Sequence, residues 1–379
     1  MKKKLAIIHG NEDQIPLILK AKEMGIETHC FSWEKMPEHA VCKDYADYFH
    51  PISIFDKEKI LEVCKEVKID GVVCCMATDM PVPTIAYIAQ EMGLPGNRYE
   101  DMLITRNKYL ARETFQKGGV SSPRFWLAQY ENMPDISQFT YPLIVKPTDR
   151  IGSLGVTKVE KEEDLINAVK NAQELSYSKQ ALIEEFIAGV EVSVETISNN
   201  GIHYNLTITD KETTAPPYNV EIAHHEPSEL PLNIQEKVKA EARKALTALN
   251  YKYGATDTEI MITEKGDVYV IEVNPRMGGD FTYRMVELST GYDFRKGIID
   301  IALNQFNEPI ISEQKYSGIY FLSRDTEWVR KVIDNSHKDP DIVEAKITKD
   351  ELYSPQNSGE RSGYFIYQST QKRRWKNEN

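Results

Sequence analysis

The sequence predicts an α/β protein, with a parallel-sheet domain at the N-terminus and a larger region in which hairpins and helices mix. Three observations carry this. Residues 4–96 alternate short apolar runs with amphipathic stretches, the order that gives a parallel sheet with right-handed crossovers. Beyond residue 120 strand-like runs follow one another, and Asn200-Gly201 and Lys265-Gly266 read as hairpin turns. At 379 residues the chain exceeds one compact core and fits two or three domains.

In order, "LAIIHG" is a first buried strand. Asn11 or Asp13 is expected to cap a helix that tolerates Pro16 in its first turn, carries Ile15, Ile18, Leu19 and Met24, and stops at Gly25. "IETHCF" is a second strand. Asp56 is expected to cap "KEKILEVCKEV". "DGVVCCMA" is a third strand, apolar throughout as a parallel strand should be. Thr78 or Asp79 opens the next helix, ended by Gly93. The first turn holds a single glycine, Gly10, so a GxGxxG dinucleotide site is not expected. Residues 97–118 read as helical up to Gly118-Gly119. "YPLIVKP", "LGVTKV", "QALIEEFI" and "VEVSVETI" are strand-like, with a helix at "KEEDLINAVKNAQEL" between them. A helix over 233–249 puts Ile234, Val238, Ala242, Ala245, Leu246 and Leu249 on one stripe. The segment after residue 280 is mixed, and the basic tail "QKRRWKNEN" reads as a frayed, solvated end.

Net charge is −12, from 46 basic and 58 acidic residues, which argues against a nucleic-acid partner. The apolar run after the first lysines is too short for a signal peptide or a membrane span, so a cytoplasmic protein without membrane contact is expected. The cysteines Cys30, Cys42, Cys64, Cys74 and Cys75 lack a CxxC and read as reduced thiols rather than a disulfide framework or a zinc site.

Chemistry concentrates around "VYVIEVNPRMGGD", residues 268–280. If Lys265-Gly266 is a two-residue turn, Glu264 faces Asp267 and, further along, Glu259 faces Glu272. A bulge near the turn would break that register. Like charges facing each other across a ladder, with Cβ atoms roughly 5 Å apart, are destabilising. Something cationic is expected among them, and relief of repulsion predicts that Glu272→Gln leaves stability unchanged or improved. Strand alternation keeps Glu272, Asn274 and Arg276 on one face. Two carboxylates and an amide oxygen suit Mg²⁺ completed by phosphate oxygens, and Asp257 could replace Glu259 as a ligand. The plain alternative is a solvent-facing polar edge.

Upstream, Lys146 ends an apolar strand and is followed by Gly152-Ser153-Leu154-Gly155, whose glycines would let backbone N–H groups approach phosphates; no Walker A ending is present. Lys108 is a second candidate cation. Residues 184–187 form a candidate linker, where the Glu185 carbonyl and the Ile187 N–H could meet a purine edge, and Glu191 beyond could accept ribose hydroxyls. An ordinary turn and an amphipathic strand are the plain readings of these pieces. Of His224 and His225, adjacent on an extended segment, at most one faces a site; with Glu221 they are candidates for the acid/base, against a simple loop role.

Taken together these pieces resemble the ATP-grasp superfamily. The match consists of Lys108, Lys146, the loop Gly152–Gly155, the hinge Glu184–Ile187, then Glu191 and finally Glu259 with Glu272 and Asn274, in family order. Within the superfamily, "EVNPRMGGD" and "LPG…TRNK" look most like the L-amino-acid ligase and carboxylate–amine ligase branch. The resemblance implies a pre-grasp domain over 1–105, an ATP-grasp domain of two α+β subdomains clasping ATP over 106–305 with a lid at 120–190, and a segment 306–379 that completes the substrate pocket or an interface. It implies ATP with Mg²⁺ (Mn²⁺ as a substitute) and an acyl-phosphate route to an amide, ADP and phosphate. Lys108 and Lys146 would hold the α and β phosphates, and Glu259, Glu272 and Asn274 the metal. Gly152, Ser153, Gly155, Glu184, Glu185, Ile187 and Glu191 would bind the nucleotide. Arg276 would act in catalysis with Lys146 and, with Gly278 and Gly279, bind substrate. Small carboxylate and amine substrates and a homodimer are the expected partners. A bicarbonate-using enzyme like biotin carboxylase or carbamoyl-phosphate synthetase, and an ATP-binding module without turnover, are the competing readings.

Overall fold

Four parallel strands open the chain. In the computed structural model, which describes residues 2–75, 79–129, 133–135, 137, 139–152, 154–215 and 218–375, β1 (Lys4–Ile8), β2 (Glu27–Phe31), β3 (Tyr48–His50) and β4 (Gly71–Val73) form a sheet in the order β3-β2-β1-β4. These strands are joined by α1 (Ile15–Glu23) and α2 (Lys57–Val67), with α3 (Val82–Met92) following β4. The mostly apolar β1 and β4 are buried, as strands covered on both faces must be.

The caps differ from expectation. Pro16 does sit in the first turn of α1, but a short 3₁₀ turn over 12–14 precedes it and neither Asn11 nor Asp13 caps it. Asn11 instead lies 2.8 Å from His9 Nδ1. Asp56 stands at the N-cap of α2 without capping it, because its carboxylate takes Lys59 Nζ at 2.6 Å. Thr78 lies outside the described residues, and the Asp79 side chain turns away from α3 towards Arg276.

Residues 97–118 are two helices, α4 (Tyr99–Thr105) and α5 (Lys108–Lys117). Asn107 breaks them apart: its side chain accepts from the N–H groups of Tyr109 and Leu110, a genuine N-cap. A second sheet follows, built of β5 (Phe125–Ala128), β6 (Leu143–Pro147), β7 (Thr157–Val159) and β8 (Ala181–Glu185) in the order β5-β8-β6-β7, with α6 (Glu162–Leu175) packed on it. Its core of Leu143, Val145, Leu165, Val169 and Ile183 is its own.

The largest sheet has eight strands. They are β9 (Val190–Asn199), β10 (Ile202–Thr213), β11 (Glu221–Glu226), β12 (Gly254–Ile262), β13 (Val268–Asn274), β14 (Tyr316–Leu322), β15 (Ile342–Ile347) and β16 (Gly363–Ser369). Between them run α7 (Leu232–Ala248), α8 (Thr282–Thr290), α9 (Phe294–Ala302) and α10 (Trp328–Asp334). The order β13-β12-β9-β10-β11-β14-β16-β15 carries the C-terminal strands onto the same sheet as the central hairpins. One face buries Val192, Val194, Ile208, Ile260 and Val270 against Val238, Ala242, Ala245 and Leu246 of α7. The other face is polar and holds the site.

The Asn200-Gly201 turn forms as expected, with Asn199 paired to Ile202 and both turn residues at positive φ. The second hairpin differs. Thr263 N–H donates to the Asp267 carbonyl and Gly266 N–H to the Thr263 carbonyl, each at 2.9 Å, so Lys265-Gly266 is not a two-residue turn. The ladder starts one residue out of the expected register, pairing Ile262 with Val268 and Ile260 with Val270. A bulge at Ile271 then restores it, and Glu259 faces Glu272 after all.

Gly189, between β8 and β9, has no room for a side chain: a Cβ there would lie 2.0 Å from the Ile262 carbonyl oxygen. The tail is not frayed through 375. Trp375 is buried among Tyr320, Phe365 and Tyr367, and Arg373 pairs with Asp339 and Asp341. Among the described residues no helix is long and apolar enough to cross a membrane.

Candidate active site

The polar face is written by strand parity. β12 lies between β9 and β13, so two rows cross three strands: Glu195, Asp257 and Asn274 in one, and Ser193, Glu259 and Glu272 in the next. Lysines reach this face from outside its rows. Lys108, at the start of α5, donates from Nζ to Glu272 Oε1 at 2.7 Å and to the Arg150 carbonyl at 2.8 Å. Lys211 of β10 donates to Glu191 at 2.7 Å and to Glu259 at 3.0 Å. Each of the two facing carboxylates thus has a lysine partner of its own.

Their surroundings drive the two glutamates apart. Burial alone would raise Glu272, but Lys108 and Lys146 overcome it and hold its carboxyl at about 2. Burial pushes Glu259 up to about 7; Lys211 opposes this, while Glu191, Asp257 and Glu272 add to it.

Lys146 leaves β6 and meets Glu184 of β8 at 2.6 Å; Glu184 also accepts from Arg112 Nε at 2.5 Å, and all three side chains are buried. Burial lowers the Lys146 ammonium despite Glu184. Arg112 Nη2 also reaches the carbonyl of Ile271, the bulged residue, at 2.6 Å. This links the second sheet, α5 and the carboxylate hairpin.

Arg276 lies just beyond β13. Its Nη1 donates to Asp257 Oδ2 at 3.2 Å and its Nε lies 3.3 Å from Asp79 Oδ1, so the guanidinium spans the N-terminal domain and the large sheet. Gly278 packs against Glu195 and Thr282, while the space beside Gly279 is open. Gly152 and Gly155 have φ of +64° and +78°, and Ser153 lies outside the described residues. The loop's start is tied to Lys108, whose N–H donates to the Thr148 carbonyl at 2.7 Å. In the 184–187 linker the Glu185 side chain turns to Arg124, and Ile187 is half-buried.

The histidines separate as alternation requires. His225 points away from this face: its Nδ1 is 2.8 Å from the Tyr367 hydroxyl and its Nε2 3.0 Å from Glu212. His224 shares the polar face and sets Nε2 3.2 Å from Asp280 Oδ2. Glu221, at the start of β11, offers its carbonyl to Arg361 Nη1 at 3.3 Å.

The donor set fits a hard cation in part. Glu259, Glu272, Asn274 and Asp257 supply only oxygens, and Asp257 Oδ1 and Glu195 Oε2 are buried without a hydrogen-bond partner. Among the described residues no cluster of three His, Cys, Asp or Glu side chains is closed enough to cage a metal, so phosphate oxygens would have to complete the shell.

Sequence reasoning missed Lys211, Asp79, Arg112, Asp280 and Arg361. Extending the Asn200-Gly201 ladder one residue at a time would put Asp210, not Lys211, opposite Glu191; an irregularity between Asn205 and Thr207 shifts the register. Arg361 meets Asp280 across 81 residues of chain, with no local signal.

Residues 139–284 match the family model of the ATP-grasp domain. The chain is 26% identical over 292 residues, 71% of its length, to the C-terminal section of the carbamoyl phosphate synthase large chain of Aquifex aeolicus. It is 27% identical over 202 residues, 52% of its length, to the D-alanine–D-alanine ligase of Geobacter sulfurreducens. It spans 50% of the first protein and 63% of the second, less than two thirds of either. In fold it is similar to phosphoribosylglycinamide synthetase from Anaerococcus prevotii (TM-score 0.79, 23% identity, covering 100% of this chain and 97% of that one). It is equally similar to L-amino acid ligase from Bacillus licheniformis (TM-score 0.79, 22% identity, 98% and 94%). The mixed fold, the ordered lysines and carboxylates and the matching family model agree on an ATP-grasp domain within residues 139–284.

Proposed function

We propose that the protein joins a carboxylate to an amine at the expense of ATP, through an acyl phosphate, releasing ADP and phosphate. One observation carries the reading: the carboxylate pair Glu259–Glu272, the Asn274 amide and the Arg276 guanidinium lie along one hairpin, flanked by three lysines.

Phosphoryl transfer is mostly positioning and charge neutralisation. Lys108 and Lys146 hold the α and β phosphates, and each would exchange its present carboxylate partner for phosphate oxygens. Lys211 stands where it can follow the γ-phosphate. Mg²⁺ held by Glu259, Glu272 and Asn274 would neutralise charge on the β and γ groups. Arg276, fixed from behind by Asp79 and Asp257, presents its remaining N–H groups to the substrate carboxylate and then to the oxyanion at the acyl carbon. The loop 152–155 and the linker 184–187 cover the nucleotide, with Glu191 towards the ribose. The sheet of β5–β8 closes as a lid that keeps water from the acyl phosphate. Similarity to carbamoyl phosphate synthase favours a second reading, in which the acid is bicarbonate.

Phosphate release from ATP and Mg²⁺, screened with amino acids singly and in pairs and with bicarbonate, tests the proposal. Release that needs both an acid and an amine supports it. Release with bicarbonate and no other acid supports the second reading. Tight ADP binding without stimulated release under any condition overturns both in favour of a binding module.

A further inference from the structure

We propose that His224 is the general base that takes the proton from the incoming amine, and that Arg361 and Asp280 hold it in the tautomer this requires. The inference rests on the ligase reading and deepens it. The two nitrogens of the His224 imidazole differ in their surroundings. His224 Nε2 is 3.2 Å from Asp280 Oδ2, while its Nδ1 is buried and has no hydrogen-bond partner. A buried polar atom without a partner is uncommon and calls for an explanation. His225, next along the chain, has partners on both nitrogens, as a structural histidine should.

Asp280 cannot donate to Nε2 if it is ionised, and the structure keeps it so. Arg361 grips it bidentately, Nη1 to Oδ2 at 2.7 Å and Nη2 to Oδ1 at 2.5 Å. Burial would raise the Asp280 carboxyl, but these contacts and His224 hold it far below the usual range. The proton is therefore on Nε2, and Nδ1 keeps its lone pair. Base, orienting carboxylate and carboxylate anchor form a chain in which each member fixes the next. Arg361 is itself pinned over the Phe321 ring at 3.7 Å.

His224 lies on the same sheet face as the carboxylates. His224 pairs across the ladder with Lys211, whose ammonium lies on Glu259, and Asp280 follows the Gly278-Gly279 turn. The groups around His224 are Lys211 from β10, Ile319 and the Phe321 ring from β14, Asp280 from the turn before α8, and Arg361 from the C-terminal segment through its grip on Asp280. In the step, the amine lone pair forms the C–N bond as Nδ1 takes a proton from that nitrogen, and the carbonyl π pair moves to oxygen. That pair returns as the C–O bond to phosphorus-bound oxygen breaks, and inorganic phosphate leaves with the bonding electrons. The imidazolium then gives its proton to water.

Hydroxylamine separates this role from a structural one. It is largely unprotonated at neutral pH and traps an acyl phosphate as the hydroxamate without a protein base. With an acid found by the phosphate-release screen, His224→Gln should lower amide formation about 10²–10⁴-fold, but hydroxamate formation far less, so the amide-to-hydroxamate ratio falls at least tenfold. Asp280→Asn, which frees the tautomer, should lower the ratio in part. MgADP affinity within threefold of wild type shows that each variant is folded. Equal loss of amide and hydroxamate in His224→Gln, or undiminished amide formation, overturns the proposal. Failure of the unaltered protein to give hydroxamate with any acid would instead overturn the ligase reading itself.

Discussion

Glu259 and Glu272 face each other on one ladder, yet their removal should have opposite effects on stability. Glu272 is held at about 2 against an ordinary value of 4.5. At about 1.4 kcal/mol per tenfold change, that is a favourable contribution of about 3 kcal/mol. Its folded value is depressed, so the contribution is complete above the unfolded value of 4.5 and is lost as pH falls through about 2. Glu259 sits at about 7. A raised carboxyl costs stability as pH climbs from 4.5 through about 7, so at pH 8 the ionised group opposes folding. Glu272→Gln should therefore destabilise the hairpin by about 3 kcal/mol at neutral pH. Repulsion alone predicts the reverse, but the 2.7 Å contact with Lys108 decides the sign. Glu259→Gln should be near neutral below pH 4.5 and stabilising by about 3 kcal/mol at pH 8, because Lys211 keeps Glu191 as a partner. Metal-free hydrogen exchange of the β12–β13 amides reads the local opening free energy in each variant. Equal destabilisation by both substitutions, or a neutral Glu272→Gln, would refute the assignment of one lysine to each carboxylate.

Arg276→Lys keeps the charge, but one ammonium cannot span Asp79 and Asp257 and still present a fork to substrate; kcat/KM should fall about 10²–10³-fold, and a loss under fivefold would exclude a bidentate contact. Gly189→Ala would place its Cβ on the Ile262 carbonyl and should cost about 3 kcal/mol in chemical denaturation; an unchanged midpoint would show that the linker moves freely. Glu226, buried beneath Thr209 and Ser289, is raised to about 8, so wild-type stability should fall as pH rises from 4.5 through 8, and Glu226→Gln should flatten that fall in a pH series of melting temperatures.

The N-terminal sheet was legible because β1 and β4 are short, apolar and punctuated by glycine, while β3, three residues with an exposed tyrosine, gave no such signal. Strand parity correctly put Glu272 and Asn274 on one face. The Glu259–Glu272 pairing was reached by a wrong route: the assumed tight turn was off by one residue and an unforeseen bulge compensated. Bulges are set by tertiary demands, here the Arg112 contact with the Ile271 carbonyl, which no local pattern reports. The same holds for Lys211, displaced by the irregularity in β10, and for Arg361, delivered by strands that join the sheet from the far end of the chain. Tail residues looked solvated by composition, but Trp375 supplies enough apolar surface to dock on β14 and β16.

The most direct test of the central claim is an anomalous-scattering crystal structure of the Mn²⁺–ADP complex. The account predicts the ion beside Glu259, Glu272 and Asn274, with the Lys108 and Lys146 ammonium groups moved from Glu272 and Glu184 onto phosphate. An ion bound elsewhere, with both lysine–glutamate contacts intact, would contradict it.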